Sequence, residues 1–312
     1  MRKVYRSNLF FFIILVGSIF GNIVLGRLFV RFNITDSRIM LLTSHVTLFL
    51  IPSILYVIFT KQSFKDVFKF NKLPFKDLLL VILLGFICVP LMSLFGVISS
   101  LFFENTLSTF MNDISSTPYI ILMLLIAVMP AITEEVTLRG VVLHGYDDKS
   151  KFKAALMCGI MFGIFHLNAH QFLYTMVMGF ILAYAVRVTG SIYTSMIMHF
   201  ILNGTSLTLQ KIISITGSSN ALEEAVEASS RITASSGELI VLLVGAVFWI
   251  IVMGTLAWTI LWKLEKRYNI RNGITLKEIQ EFKYKESDER IINLPFIMSV
   301  IVYFVFMILF KL

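Results

Sequence analysis

Residues 78–103 read LLLVILLGFICVPLMSLFGVISSLFF, without one charged side chain. A helix of that length rises about 39 Å, more than the ~30 Å hydrocarbon core of a bilayer. Eight further apolar stretches lie on either side of it, at 9–30, 39–60, 118–145, 152–168, 171–188, 191–213, 238–262 and 293–311. Composition agrees: 57% of the 312 residues are hydrophobic, only 15% are charged, and the mean hydropathy is +0.84. So apolar a chain needs lipid as its solvent. The alternating ten-residue pattern of an outer-membrane barrel is absent, so helices must satisfy the backbone. The expected fold is all-α, a polytopic transmembrane helix bundle of about nine spans.

The distribution of Lys and Arg between the spans predicts orientation. One side receives Arg2, Lys3 and Arg6, then Lys61, Lys65, Lys69, Lys72 and Lys76, then Arg139, Lys149, Lys151 and Lys153, then Arg187 and the loop from Lys263 to Arg290. The other side receives Arg27, Arg31, Arg38, Lys211, Arg231 and Lys311. The excess puts the N-terminus in the cytoplasm. The net charge of +8 is then mostly loop charge facing an anionic leaflet, and no nucleic-acid partner is expected. The stretch Lys61–Lys76, with Phe64, Phe68 and Phe70, reads as an interfacial segment. The first apolar stretch exceeds the roughly 7 to 15 residues of a signal-peptide core and is read as a retained anchor. Cys88 and Cys158 both fall inside spans, where they act as small apolar side chains. Three regions are expected: N-terminal spans in 1–117, a helical core in 118–207, and C-terminal spans with a basic loop in 208–312. The segments Gly217–Gly237 and 264–292 read as peripheral, the latter as a short solvated helix. A K/I/F-rich chain of this kind suits a bacterial plasma membrane.

The chemistry lies between Pro130 and Asn203, because an ionisable residue inside a span is costly and marks function by default. The fourth stretch contains Pro130, Glu134, Glu135 and Arg139. Glu135 and Arg139 are spaced i, i+4 with the acid first, the favourable order for an ion pair. Glu134, turned about 100° around the helix, is left free for proton transfer. Pro130 interrupts the hydrogen-bond ladder and opens room beside it. The fifth stretch supplies Phe162 and His166, and the seventh supplies His199 and Asn203 on one helical face. Counted from the basic ends, Glu134, His166 and His199 lie roughly 18, 22 and 14 Å deep, within about two turns of one another. Such a cluster suits a water held by Glu134 and His166, with His199 and Asn203 donating to an oxyanion. This depth suggests that substrate arrives from the cytoplasmic half of the bilayer. His45, His144 and His170 show no partner in the sequence and read as structural or interfacial.

The pattern Glu134-Glu135 with Arg139, Phe162 with His166, and His199 with Asn203 resembles the three motifs of the CAAX protease and bacteriocin-processing family of intramembrane endopeptidases. The run Arg187-Val188-Thr189-Gly190-Ser191-Ile192 is also typical of that family, and the resemblance covers about Tyr119 to Thr205. It implies a peptide hydrolase in which Glu134 and His166 activate water, His199 and Asn203 hold the oxyanion, and Glu135 and Arg139 support the site. It implies peptide or protein substrates at the membrane and no obligatory cofactor. Zinc on Glu134, His166 and His199 is the alternative, although no His-Glu-x-x-His run is present. A non-catalytic binding or bacteriocin-immunity protein is the alternative function. A transporter is disfavoured because inverted repeats are lacking.

Overall fold

A computed structural model describes residues 3–105, 111, 114, 116–216, 236–275, 277–278, 280–281 and 286–310. Most of the Gly217–Gly237 segment, together with Arg2, Arg231 and Lys311, lies outside these residues. The helices are α1 (Lys3–Arg31), α2 (Ser37–Phe59), α3 (Phe64–Phe68), α4 (Phe75–Ser100), α5 (Tyr119–Val142), α6 (Lys151–Phe165), α7 (Ala169–Thr189), α8 (Ile192–Thr216), α9 (Ser236–Arg271) and α10 (Leu294–Phe310). No strand occurs among the described residues. Each of the nine apolar stretches coincides with a helix, and α3 is the interfacial segment. Six helices, α1, α2, α4, α5, α7 and α9, are long and apolar enough to cross a membrane. Helices α6 and α10 are shorter, and α8 carries a polar face of Ser195, His199, Asn203 and Gln210. The chain is an all-α polytopic membrane protein.

One continuous buried core draws on every helix from α1 to α10. Helix α10 packs on α1, and α9 on α4 and α7, so the first and last thirds of the chain enclose the middle one. The tightest contact is between α6 and α7, where Gly159 and Gly163, four residues apart, let the two backbones touch. A Cβ added at Gly159 would sit 2.7 Å from the Met176 carbonyl oxygen and 2.8 Å from the Phe180 nitrogen. Small residues at this spacing hold membrane helices together by close van der Waals contact. This contact also fixes Phe162, and beyond it His166, against α7.

The ends that the charge distribution assigns to one side meet at one end of the bundle. Asp147, in the turn after α5, accepts from Lys69 at 3.0 Å, lies 2.9 Å from His144 Nδ1, and binds Arg187 at the end of α7. Asp77 at the start of α4 binds Arg267 and Arg271 of α9. Lys3 pairs with Asp148, and Lys151 with Glu265. The segment around 286–289 is not peripheral. Glu289 accepts from the N–H groups of Val4 and Tyr5, filling two of the open donors at the start of α1. Glu286 does the same for Ser150 N–H. Helix α9 runs on to Arg271, past the limit of 262 expected from hydropathy, because Arg267 and Arg271 find Asp77.

Two outcomes follow. Gly159→Ala should destabilise the protein by about 1–3 kcal/mol, since the methyl group meets rigid backbone. Gly245→Ala on α9, with nothing within 4 Å, should not. Thermal unfolding in detergent compares the two, and equal melting temperatures would remove the close contact. Burial alone would raise the Asp147 carboxyl, but His144, Lys69 and Arg187 hold it down to about 2. The stability it contributes is therefore full above its unfolded value of about 3.9 and is lost as pH falls through about 2. Asp147→Asn should flatten the acid limb of a melting-temperature profile over that window, and an unchanged limb would discount the cluster.

Candidate active site

Helix α5 is irregular where it matters. Wide turns with i to i+5 hydrogen bonding occupy Met123–Val128 and Val136–Val142, with Glu134 and Glu135 in the α-helical piece between them. Such turns recur at functional sites because they loosen the regular ladder. Pro130 has no N–H, so the Ile126 carbonyl four residues earlier loses its usual helical donor. Asn203 Nδ2 of α8 donates to that carbonyl at 3.1 Å. Proline on one helix and asparagine on another are thus two halves of one contact, which leaves the second Nδ2 hydrogen for other use.

The two adjacent glutamates have separate surroundings. Glu135 is fully buried, and its Oε1 accepts from Arg139 Nη1 at 3.0 Å and from His199 Nδ1 at 2.8 Å. A carboxylate only accepts, so His199 carries hydrogen on Nδ1 and turns Nε2 away from Glu135. Arg139 is fully buried too. It donates to the Gly179 carbonyl at 3.3 Å and stacks 4.4 Å from the Phe162 ring centroid. The expected i, i+4 pair is present, and it also orients His199, which spacing along one helix does not reveal. Removing one member of a buried pair costs about 3–5 kcal/mol, because the other charge is stranded.

Glu134 has no such partner: its Oε2 lies 3.9 Å from His199 Nε2, beyond hydrogen-bond reach. It lines a cavity of about 370 Å³ together with Phe162, His166, His199 and Asn203. His166 closes α6 and donates its Nδ1 hydrogen to the Phe162 carbonyl at 2.8 Å, leaving Nε2 as an acceptor. Leu167 follows at φ +47°, a left-handed conformation that bulky residues rarely adopt. It reverses the chain at once into α7, whose first turn is capped by Asn168. Phe162 stands between the histidines, its centroid 4.7 Å from the His166 ring and 6.1 Å from that of His199.

The structure therefore gathers all of Glu134, His166, His199 and Asn203 at one cavity, with Glu135 and Arg139 behind it. The other histidines do have partners: His45 bonds Thr133 at 2.9 Å, His170 bonds Ser100 at 2.9 Å, and His144 faces Asp147. Spacing carried no signal for these, nor for Gln171, Tyr174 and Gln210 of the cavity wall. The cavity also lies on the far side of Glu134 and His199 from the basic end, away from the approach expected from depth alone. As to zinc on Glu134, His166 and His199, no three His, Cys, Asp or Glu side chains among the described residues are grouped to hold a metal ion.

Comparison with known proteins bears on the same segment. Residues 116–205 match the family model of the type II CAAX prenyl endopeptidase Rce1-like proteins. No curated protein and no solved structure matches the chain. The match supports a membrane protease, a hydrolase acting on peptide substrates in a multi-pass membrane protein. Over the segment that holds all six residues of the site, the chain is similar to the Rce1-like type II CAAX prenyl endopeptidases, and the resemblance read from its three motifs is borne out.

Proposed function

We propose that this protein is an intramembrane endopeptidase of the CAAX-protease type, hydrolysing a peptide bond in a membrane-associated peptide or protein with a water activated by Glu134 and His166. The observation that carries this reading is the asymmetry of the two adjacent glutamates. Glu135 Oε1 is engaged by both Arg139 and His199, while Glu134 faces the cavity, its Oε2 3.9 Å from the His199 ring. A carboxylate kept for proton transfer requires that arrangement.

The steps follow from which atoms donate and which accept. A water between Glu134 and His166 gives one hydrogen to the carboxylate and one to His166 Nε2, leaving a lone pair aimed at the scissile carbonyl carbon. As the C–O bond forms, Glu134 takes the proton and negative charge moves onto the carbonyl oxygen. His199, held through Nδ1 by Glu135, would present Nε2–H to that oxygen, with the second Nδ2 hydrogen of Asn203 beside it. Glu134 then returns the proton to the departing amine nitrogen as the C–N bond breaks. A bacterial plasma-membrane location belongs to this reading.

The test is cleavage of quenched fluorescent peptides by purified protein in detergent. Glu134→Gln should lower turnover by about 10²-fold or more, as loss of a general base does, with no change in melting temperature. Unchanged turnover would remove the mechanism, and loss of wild-type cleavage on chelation would transfer it to a metal ion. Glu135→Gln should fail differently. It strands Arg139 and releases His199, so it should lose about 3–5 kcal/mol of stability as well as activity. A variant that melts normally would show that the pair is not needed for the fold.

A further inference from the structure

Among the described residues, the cavity extends from Glu134 away from the basic end. Helices α4 and α8 begin at the basic end, at Phe75 and Ile192, and α7 finishes there at Thr189. The walls from α4 and α8 lie in the later parts of those helices, Val89 to Gly96 and His199 to Gln210, and the wall from α7 lies in its earlier part, Gln171 to Met178. From His199 to Gln210 that is about 16 Å of helix, all directed away from the basic end. Toward the basic end the path is filled. Leu138, Leu143, Met161, Leu182 and Met198 are fully buried there, beside Arg139.

The charges identify the two ends. Lys61, Lys65, Lys72, Lys76, Lys151 and Lys153 belong to the closed end, whereas the open end has Arg27, Arg31, Lys211 and Arg38, the last paired with Asp36. By the positive-inside rule the closed end is cytoplasmic. The cavity wall among the described residues has no Lys, Arg or Asp, and its acid is Glu134. Apolar side chains, Met92, Met178, Leu202 and Leu207, make up much of it, with the amides of Gln171 and Gln210 toward the open end.

We infer that the site receives its substrate from the extracytoplasmic side, as an uncharged, mainly apolar stretch of a secreted or membrane-anchored peptide. The inference rests on the peptidase reading for the word substrate, but the direction of access stands on the cavity and the charges alone. An acidic residue entering this wall finds no Lys or Arg and loses its hydration, whereas an apolar one exchanges water for Met and Leu. The Gln171 and Gln210 amides can pair with the peptide backbone that remains wet.

A labelling experiment tests this without requiring cleavage. The inactive Glu134→Gln protein is expressed with Gln210→Cys or with Lys72→Cys, the native Cys88 and Cys158 being buried. A membrane-impermeant maleimide is then applied to intact cells and to inverted vesicles. Gln210→Cys should react in intact cells and Lys72→Cys only in inverted vesicles. Labelling of Lys72→Cys in intact cells, or of Gln210→Cys only in inverted vesicles or not at all, would overturn the direction of access. An uncharged apolar peptide should protect Gln210→Cys at about tenfold lower concentration than the same peptide with one central Asp, a difference of roughly 1.4 kcal/mol. Equal protection, or none, would overturn the substrate class. Because both readouts use the inactive protein, their failure is separate from failure of the peptidase mechanism.

Discussion

A carboxylate and a guanidinium, both with no exposure to solvent, occupy the middle of a helix surrounded by lipid-solvated helices, and the rest of the site depends on keeping them together. Neither Glu135 nor Arg139 is tolerable alone at that depth. Each also engages neighbours on different helices: His199 from α8 for the acid, and the Gly179 carbonyl from α7 with the Phe162 ring from α6 for the base. The pair therefore binds four helices at one point. Any shift of α6, α7 or α8 relative to α5 would expose an unpaired charge, and this makes the arrangement of the bundle specific.

The geometry around that point explains how two identical neighbouring residues come to have different surroundings. Successive residues on a helix face directions about 100° apart. Once Glu135 is turned into the bundle, Glu134 must face elsewhere, and the space it meets is the cavity walled by α4, α5, α6, α7 and α8. The cavity exists because several segments are locally imperfect. Helix α5 is widened on both sides of the glutamates, Pro130 removes one donor, α6 stops at His166, and Leu167 takes a strained conformation to begin α7. Strain and missing hydrogen bonds are costly, and here they are offset by Asn203 on the Ile126 carbonyl and by the backbone contact at Gly159.

The two ends of the bundle have different physical roles. The basic end is closed by ion pairs that cross from one loop to another, with Asp147 and Asp77 as the shared acids. These pairs lie at the helix ends, and salt screens such partly exposed charges only in part. They hold the helix ends in place, so the far end can contain space. Similarity to the Rce1-like endopeptidases covers 116–205, while α2, α4 and α9 lie outside that segment. Two of those helices still reach the site, α2 through His45 on Thr133 and α4 as a cavity wall.

By itself the sequence determined the solvent, the secondary structure and the chemical groups. Apolar length forces helices across lipid, because no other open structure satisfies a backbone without water. Charge asymmetry grouped the loops correctly, since Lys3, Lys69, Arg187 and the 263–290 loop meet at one end. The spacings 135/139, 162/166 and 199/203 named the residues of the site, because on one helix i and i+4 share a face whatever surrounds them. Tertiary structure alone decided what those faces meet. That His199 serves Glu135, that Asn203 completes the carbonyl released by Pro130, that Glu289 caps α1, and that the cavity is walled by helix segments on the far side of Glu134 from the basic end are contacts between helices distant in sequence. Periodicity describes one helix at a time, and the rotation and depth of each against its neighbours come from side-chain packing, close glycine contacts and the need to pair every buried charge.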